Sequence, residues 1–170
     1  MQQVKSRRWL LGRSCPAILA AFALTGCVEP SLHKSDRSLE ELFDRSQADF
    51  SRLLAMTEQD KIQILWTKTR EMEPSGSSLS DNRWSQYTNL CDAIGIRKIE
   101  RTANRLLLIS TTESQAFGHE TVKGYAYSQV PLSPTVTSLD GGIPGEYVSG
   151  SKGLAYKPLK SGWYLFMQED

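Results

Sequence analysis

Gly95 divides this 170-residue chain into two hydrophobic patterns, and the division sets the range of folds open to it. Before it, apolar residues recur every three or four positions. Leu39, Leu42, Phe43, Phe50, Leu53 and Leu54 fall on one helical face, and Trp84, Tyr87, Cys91 and Ile94 recur with the same spacing. After it, short runs rich in β-branched and aromatic residues are separated by turn-forming residues. Residues 96–102, 105–112, 121–128, 154–159 and 163–168 read as strands. Ala103-Asn104, residues 115–119 and Lys160-Ser161-Gly162 read as hairpin turns. The expected class is α+β, with N-terminal helices packed on a C-terminal antiparallel sheet of about four to five strands.

Local signals place the helix ends. Ser38 and Glu41 form a capping-box pattern, and Thr57-Glu58-Gln59-Asp60 resembles a second helix start with acid in its first turn. Ile62, Leu65, Trp66 and Thr69 continue a helical stripe, while Ile62, Ile64 and Trp66 alternate as a short strand would. Residues 73–80 are a loop by composition, and Ser80 or Asp81 caps the helix that follows. Gly95-Ile96 fits a Schellman ending. Leu106 to Ile109 and Trp163 to Met167 are apolar on both faces, so their strands should be central and covered on both sides. Lys157 and Pro158 suit an edge. Residues 131–153 read as a long Pro/Gly/Ser-rich loop with a short strand at 146–148.

The first residues carry a different message. Lys5, Arg7, Arg8 and Arg13 precede an apolar run from Pro16 to Thr25, and no acidic residue comes before Cys27. The run is too short for a spanning helix, which needs roughly twenty residues. It ends in Leu24-Thr25-Gly26-Cys27. That ending resembles the lipobox of bacterial lipoproteins. The resemblance implies cleavage between Gly26 and Cys27, then thioether attachment of a diacylglyceryl group to Cys27 and acylation of the new α-amine. It divides the chain into a signal peptide at 1–26, a lipidated Cys with a tether at 27–37, and one small domain at 38–170. His33 falls in the tether and is expected to be solvated. Ser6-Arg7-Arg8-Trp9-Leu10-Leu11 is similar to a twin-arginine export signal but lacks its usual Lys, and an ordinary basic leader is the better reading. Val28 stands where Asp resembles an inner-membrane retention signal in enteric bacteria, which points to the outer membrane.

Charge and cysteines narrow the partners. Without the four leader cations, sixteen basic residues face nineteen acidic ones, a net charge of about −3. No basic excess is left to track a phosphate backbone, so nucleic acid is not an expected partner. Of the three Cys, Cys15 leaves with the leader and Cys27 is alkylated. Cys91 is left alone on the buried stripe of its helix, so no intramolecular disulfide forms.

Chemistry-bearing motifs are sparse. His33 and His119 are too few for a zinc site, and no nucleophile elbow or Walker pattern occurs. No cofactor is expected. The suggestive set is aromatic. Tyr125 and Tyr127 share one face of their strand, and Tyr164 and Phe166 share one face of the last strand. These four are either core or an exposed surface for a protein or glycan partner. Lys123-Gly124-Tyr125-Ala126-Tyr127-Ser128, Ser138-Leu139-Asp140 and Gly162-Trp163-Tyr164-Leu165-Phe166 resemble an uncharacterised family of short Gram-negative lipoproteins, a likeness that brings no activity with it. The expected function is a lipid-anchored, non-catalytic binding or accessory protein of the cell envelope, at the outer membrane facing the periplasm. The alternatives are an inhibitor or immunity-type lipoprotein and, further off, a small hydrolase built on His119.

Overall fold

Residues 33–73, 78–102, 104–114, 120–150 and 152–170 are described by the computed structural model. All fall in one compact unit. Gly26, Cys27, the whole leader and His119 lie outside the described residues.

The helical half breaks where the backbone can be capped. α1 (Asp36–Arg45) starts at Ser35, whose hydroxyl accepts from the Ser38 N–H at 3.2 Å. The start expected at Ser38 is therefore three residues late, and the tether expected over 27–37 overlaps the folded domain. His33 is buried rather than solvated, at 8% exposure. α2 (Gln47–Gln59) follows a break at Ser46, where φ is −121° and ψ is 21°. The Ser46 N–H closes α1 on the Leu42 and Phe43 carbonyls, and its carbonyl accepts from Phe50. The break brings the Phe43 and Phe50 rings to 5.1 Å.

Thr57 does not open a helix. It is buried in the last turn of α2 and its hydroxyl donates to the Leu54 carbonyl at 2.8 Å. α2 then ends in a Schellman pattern, with Ile62 N–H on the Thr57 carbonyl and Lys61 N–H on the Glu58 carbonyl. Lys61 occupies the left-handed position at φ 55°. The chain leaves extended, so the helical stripe over residues 62–69 gives way to the competing strand: β1 (Ile64–Trp66) pairs with β2 (Glu71–Glu73). α3 (Asp81–Ile94) is capped by Ser80 and ends at Gly95, at φ 69°, with Ile96 N–H on the Cys91 carbonyl. Its buried stripe is Trp84, Tyr87, Leu90, Cys91 and Ile94.

The remaining strands are β3 (Lys98–Thr102), β4 (Arg105–Ser114), β5 (Glu120–Tyr127), β6 (Val148–Ser149), β7 (Lys152–Pro158) and β8 (Trp163–Glu169). Among the described residues, eight strands form one antiparallel sheet in the order β2-β1-β3-β4-β5-β8-β7-β6. The α+β class holds, and the expected four to five strands become eight. Beyond the five long strands stand β1, β2 and β6, of two or three residues each: β1 falls where alternation competed with a helical stripe, and β6 meets the short strand expected at 146–148 only at Val148. At 145–147 the chain makes a 3-10 turn, and the short strand begins only at Val148.

β4 and β8 lie inside the sheet and are buried on both faces. Leu106, Leu108, Tyr125, Ala155, Trp163, Leu165 and Met167 share one cluster with Leu39, Phe43, Phe50 and the α3 stripe. Leu107, Ile109, Ala126, Tyr156 and Phe166 form a second cluster on the alternate positions. A register shift between Ile109 and Thr111 bulges β4 opposite Gly124. A Cβ at Gly124 would stand 2.1 Å from the Leu108 carbonyl oxygen, so only glycine fits.

Candidate functional site

The least expected feature is a buried charge cluster that ties the loop after β5 to the start of α1. Alternation with Tyr125 and Tyr127 turns Lys123 inward, where its side chain is 1% exposed. Its ammonium lies 2.8 Å from Asp36 Oδ1 and 2.9 Å from Asp140 Oδ1. Asp36 Oδ2 accepts from the Leu139 N–H at 2.8 Å and from Lys157 at 3.2 Å. Lys157 in turn reaches Glu40 at 2.7 Å. Asp140 also accepts the Asp36 backbone N–H at 2.7 Å, so a carboxylate from a loop 104 residues away serves the N-terminal turn of α1. Leu139 beside it is wholly buried.

The electrostatics follow from these contacts. Burial pushes the Asp36 carboxyl up, but the Lys123 ammonium, the Leu139 amide and Lys157 outweigh it and hold the group below the usual carboxylate range. Lys157 is raised above its ordinary value, first by its hydrogen bond to Glu40, against burial, and then by Asp36. Every carboxylate in the cluster faces an ammonium. The arrangement fixes two segments of chain and offers no unpaired acid or base for proton transfer.

A second feature is open. A cleft of about 290 Å³ lies at the β3–β4 turn and the end of β5, lined by Glu58, Arg101, Arg105, Leu106, Tyr127 and Val130 among others. Arg101 Nη2 donates to the Thr57 hydroxyl at 3.0 Å. Arg105 Nη1 donates to the Tyr156 hydroxyl, and its guanidinium lies 5.8 Å from the Tyr156 ring centroid. The cleft is at the lower end of the size range for small-molecule sites.

The aromatic residues singled out in the sequence divide between the two faces of the sheet. Tyr125 is fully buried, its ring 4.6 Å from Phe50 and its hydroxyl donating to the Leu39 carbonyl at 3.0 Å. Tyr127 is half-buried against Trp163. Phe166 is fully buried in the cluster on the opposite face, with half-buried Tyr164 packed against it. The four do not gather into one exposed patch. Cys91 is buried and its thiol is pushed up to about 12 by burial, which leaves it without a nucleophilic thiolate. Among the described residues, no group of three His, Cys, Asp or Glu side chains is placed to hold a metal ion.

Sequence reasoning passed over Lys123, Asp36 and Asp140 as a set. The signal was the Lys at an inward position of the strand holding Tyr125 and Tyr127, a place where a charge demands a partner. It also treated Arg101 and Arg105 as ordinary strand residues. Compared with known proteins, the chain matches no family model, no curated protein and no solved structure.

Proposed function

We propose that this chain is a lipid-anchored protein of the bacterial cell envelope, held to the membrane through Cys27, whose folded domain is a non-catalytic binding or accessory module. The observation that carries this reading is Leu24-Thr25-Gly26-Cys27 at the end of a short apolar run behind four basic residues. A single acyl chain gives marginal anchoring at about 0.8 kcal/mol per buried methylene, whereas two or three hold stably. Val28 directs the anchored protein to the outer membrane, facing the periplasm.

Within the domain, the contacts of Phe50 and Leu39 with Tyr125 support a layer of helices on one face of the sheet. The paired charges of Asp36, Lys123, Lys157 and Asp140 support a structural use of the acidic and basic groups that a catalytic account would need. The loop they pin, at 131–147, and the rim of the sheet are the surfaces offered to an envelope protein or glycan.

The experiment is metabolic labelling with radioactive palmitate and membrane fractionation of the native chain and Cys27→Ala. The native chain should carry label and sediment with the outer membrane, and the variant should lose both. A variant that keeps its label and its membrane fraction would overturn the anchor.

A further inference from the structure

We propose that residues 131–142 form a strap across the outer edge of β7, and that the strap opens as a unit, without unfolding of the sheet, and bares that edge. The device goes beyond the anchor and holds whether or not Cys27 carries lipid.

The strap runs extended over β7. Exposure alternates along it: Leu132, Pro134 and Val136 are half-buried, while Pro131, Ser133, Thr135 and Thr137 are exposed. The Tyr156 N–H donates to the Pro134 carbonyl at 2.9 Å, and the Val136 N–H donates to the Tyr156 carbonyl at 2.8 Å. β6 pairs with β7 at Lys152 and Gly153, so at Tyr156 the strap stands where a neighbouring strand would.

Its hold is concentrated near one end. Between residues 131 and 142, Leu139 alone is fully buried. The Leu139 N–H donates to Asp36, and Asp140 meets Lys123 and the Asp36 N–H. Just past this latch the chain has room to turn. A Cβ at Gly141, Gly142 or Gly145 would meet nothing within 4 Å, and Gly142 sits in the left-handed region at φ 86°. A segment with one buried apolar anchor and a largely exposed course belongs to the low-stability end of a fold.

The charges favour a separate opening. When the strap leaves, Asp36 keeps Lys123 at 2.8 Å and Lys157 at 3.2 Å, so neither partner of the buried pair is stranded. Asp140, whose side chain is 46% exposed while latched, passes to water. What is lost is the burial of Leu139, the two Tyr156 bonds and the latch contacts of Asp140 and the Leu139 N–H. Opening leaves the Tyr156 N–H and carbonyl free on the outer side of β7. These are the groups through which an extended peptide segment adds a strand to a sheet.

The test is native-state amide exchange of the full chain in a neutral detergent, followed residue by residue in NMR spectra at low urea. The Val136, Leu139 and Tyr156 amides should share one opening and exchange about tenfold or more faster than the slowest amides of β4 and β5. Ile99→Val, in the core strand β3, should speed those slowest amides roughly fivefold. It should leave the three strap amides unchanged, because fully buried Ile99 is packed alike in the closed and open forms. Asp140→Ala should speed strap and core amides by the same factor, roughly tenfold, because the latch is missing from both the open and the unfolded chain. The Ile99→Val comparison leaves the latch intact, so it stands even if Asp140→Ala fails to fold. Strap amides that match the slowest core amides and follow Ile99→Val would overturn the proposal, as would three unrelated responses to Asp140→Ala.

Discussion

Lys123 in β5 and Asp36 in the first turn of α1 lie 2.8 Å apart with side chains 1% and 2% exposed, so an ion pair 87 positions apart in sequence is enclosed by the fold. Breaking such a pair is costly because it strands the remaining charge. Lys123→Met should therefore destabilise the domain by about 3 kcal/mol, toward the low end of the range because Lys157 still faces Asp36. Urea unfolding measures the loss. Asp36→Leu combined with Lys123→Met should cost less than the two single changes added together. Additive costs would mean that the two side chains act independently.

The same pair sets an acid limit. The folded-state value of Asp36 is below its unfolded value of about 3.9. Its contribution is therefore complete above that unfolded value and is lost as pH falls through the folded one. The stability gap between the native chain and Asp36→Asn should be widest near neutral pH and should narrow below about pH 4. Chemical denaturation at a series of pH values reads this directly, and a gap that does not change with pH would rule the linkage out.

Gly124→Ala should be among the most damaging single-methyl changes in the sheet. The new Cβ would meet the Leu108 carbonyl oxygen at 2.1 Å and the Ser110 nitrogen at 2.9 Å, both backbone atoms that cannot rotate away. The expected cost is about 2 kcal/mol or more, with amide exchange faster in β4 and β5 than elsewhere. Gly141→Ala, where a Cβ would meet nothing within 4 Å, is the control.

Thiol counting links fold to processing. Cys91 is fully buried and its thiol is held near 12, so a maleimide probe at neutral pH should leave the folded domain unlabelled. After denaturation, a chain processed and alkylated at Cys27 should titrate one thiol, since Cys15 is gone and Cys27 is blocked. An unprocessed chain should titrate three.

How far the sequence disclosed this fold depended on the range of the signal. The five long strands and the close of α3 at Gly95 were legible because alternation and turn residues are local. β1 and β2 were obscured because Ile62, Leu65, Trp66 and Thr69 satisfy a helical period as well as a strand, and the left-handed turn at Lys61 that decides between them has no glycine to announce it. The early start of α1 combines the Ser35 cap with a hydrogen bond from the Asp36 N–H to Asp140, a partner 104 residues away. The cleft was invisible for the same reason: Glu58 of α2, Arg101 of β3, Leu106 of β4 and Tyr127 of β5 line it from separate elements that only the fold brings together. Tyr125 and Phe166 were recognisable as sharing faces with their neighbours, but which face each strand turned to the helices was set by pairing across the sheet.

Intact mass spectrometry of the protein extracted from membranes tests the central claim most directly. The expected polypeptide begins at Cys27 and is heavier than its residues by a diacylglyceryl group and an N-linked acyl chain. A chain that retains residues 1–26, or one cleaved elsewhere with no lipid mass on Cys27, would contradict it.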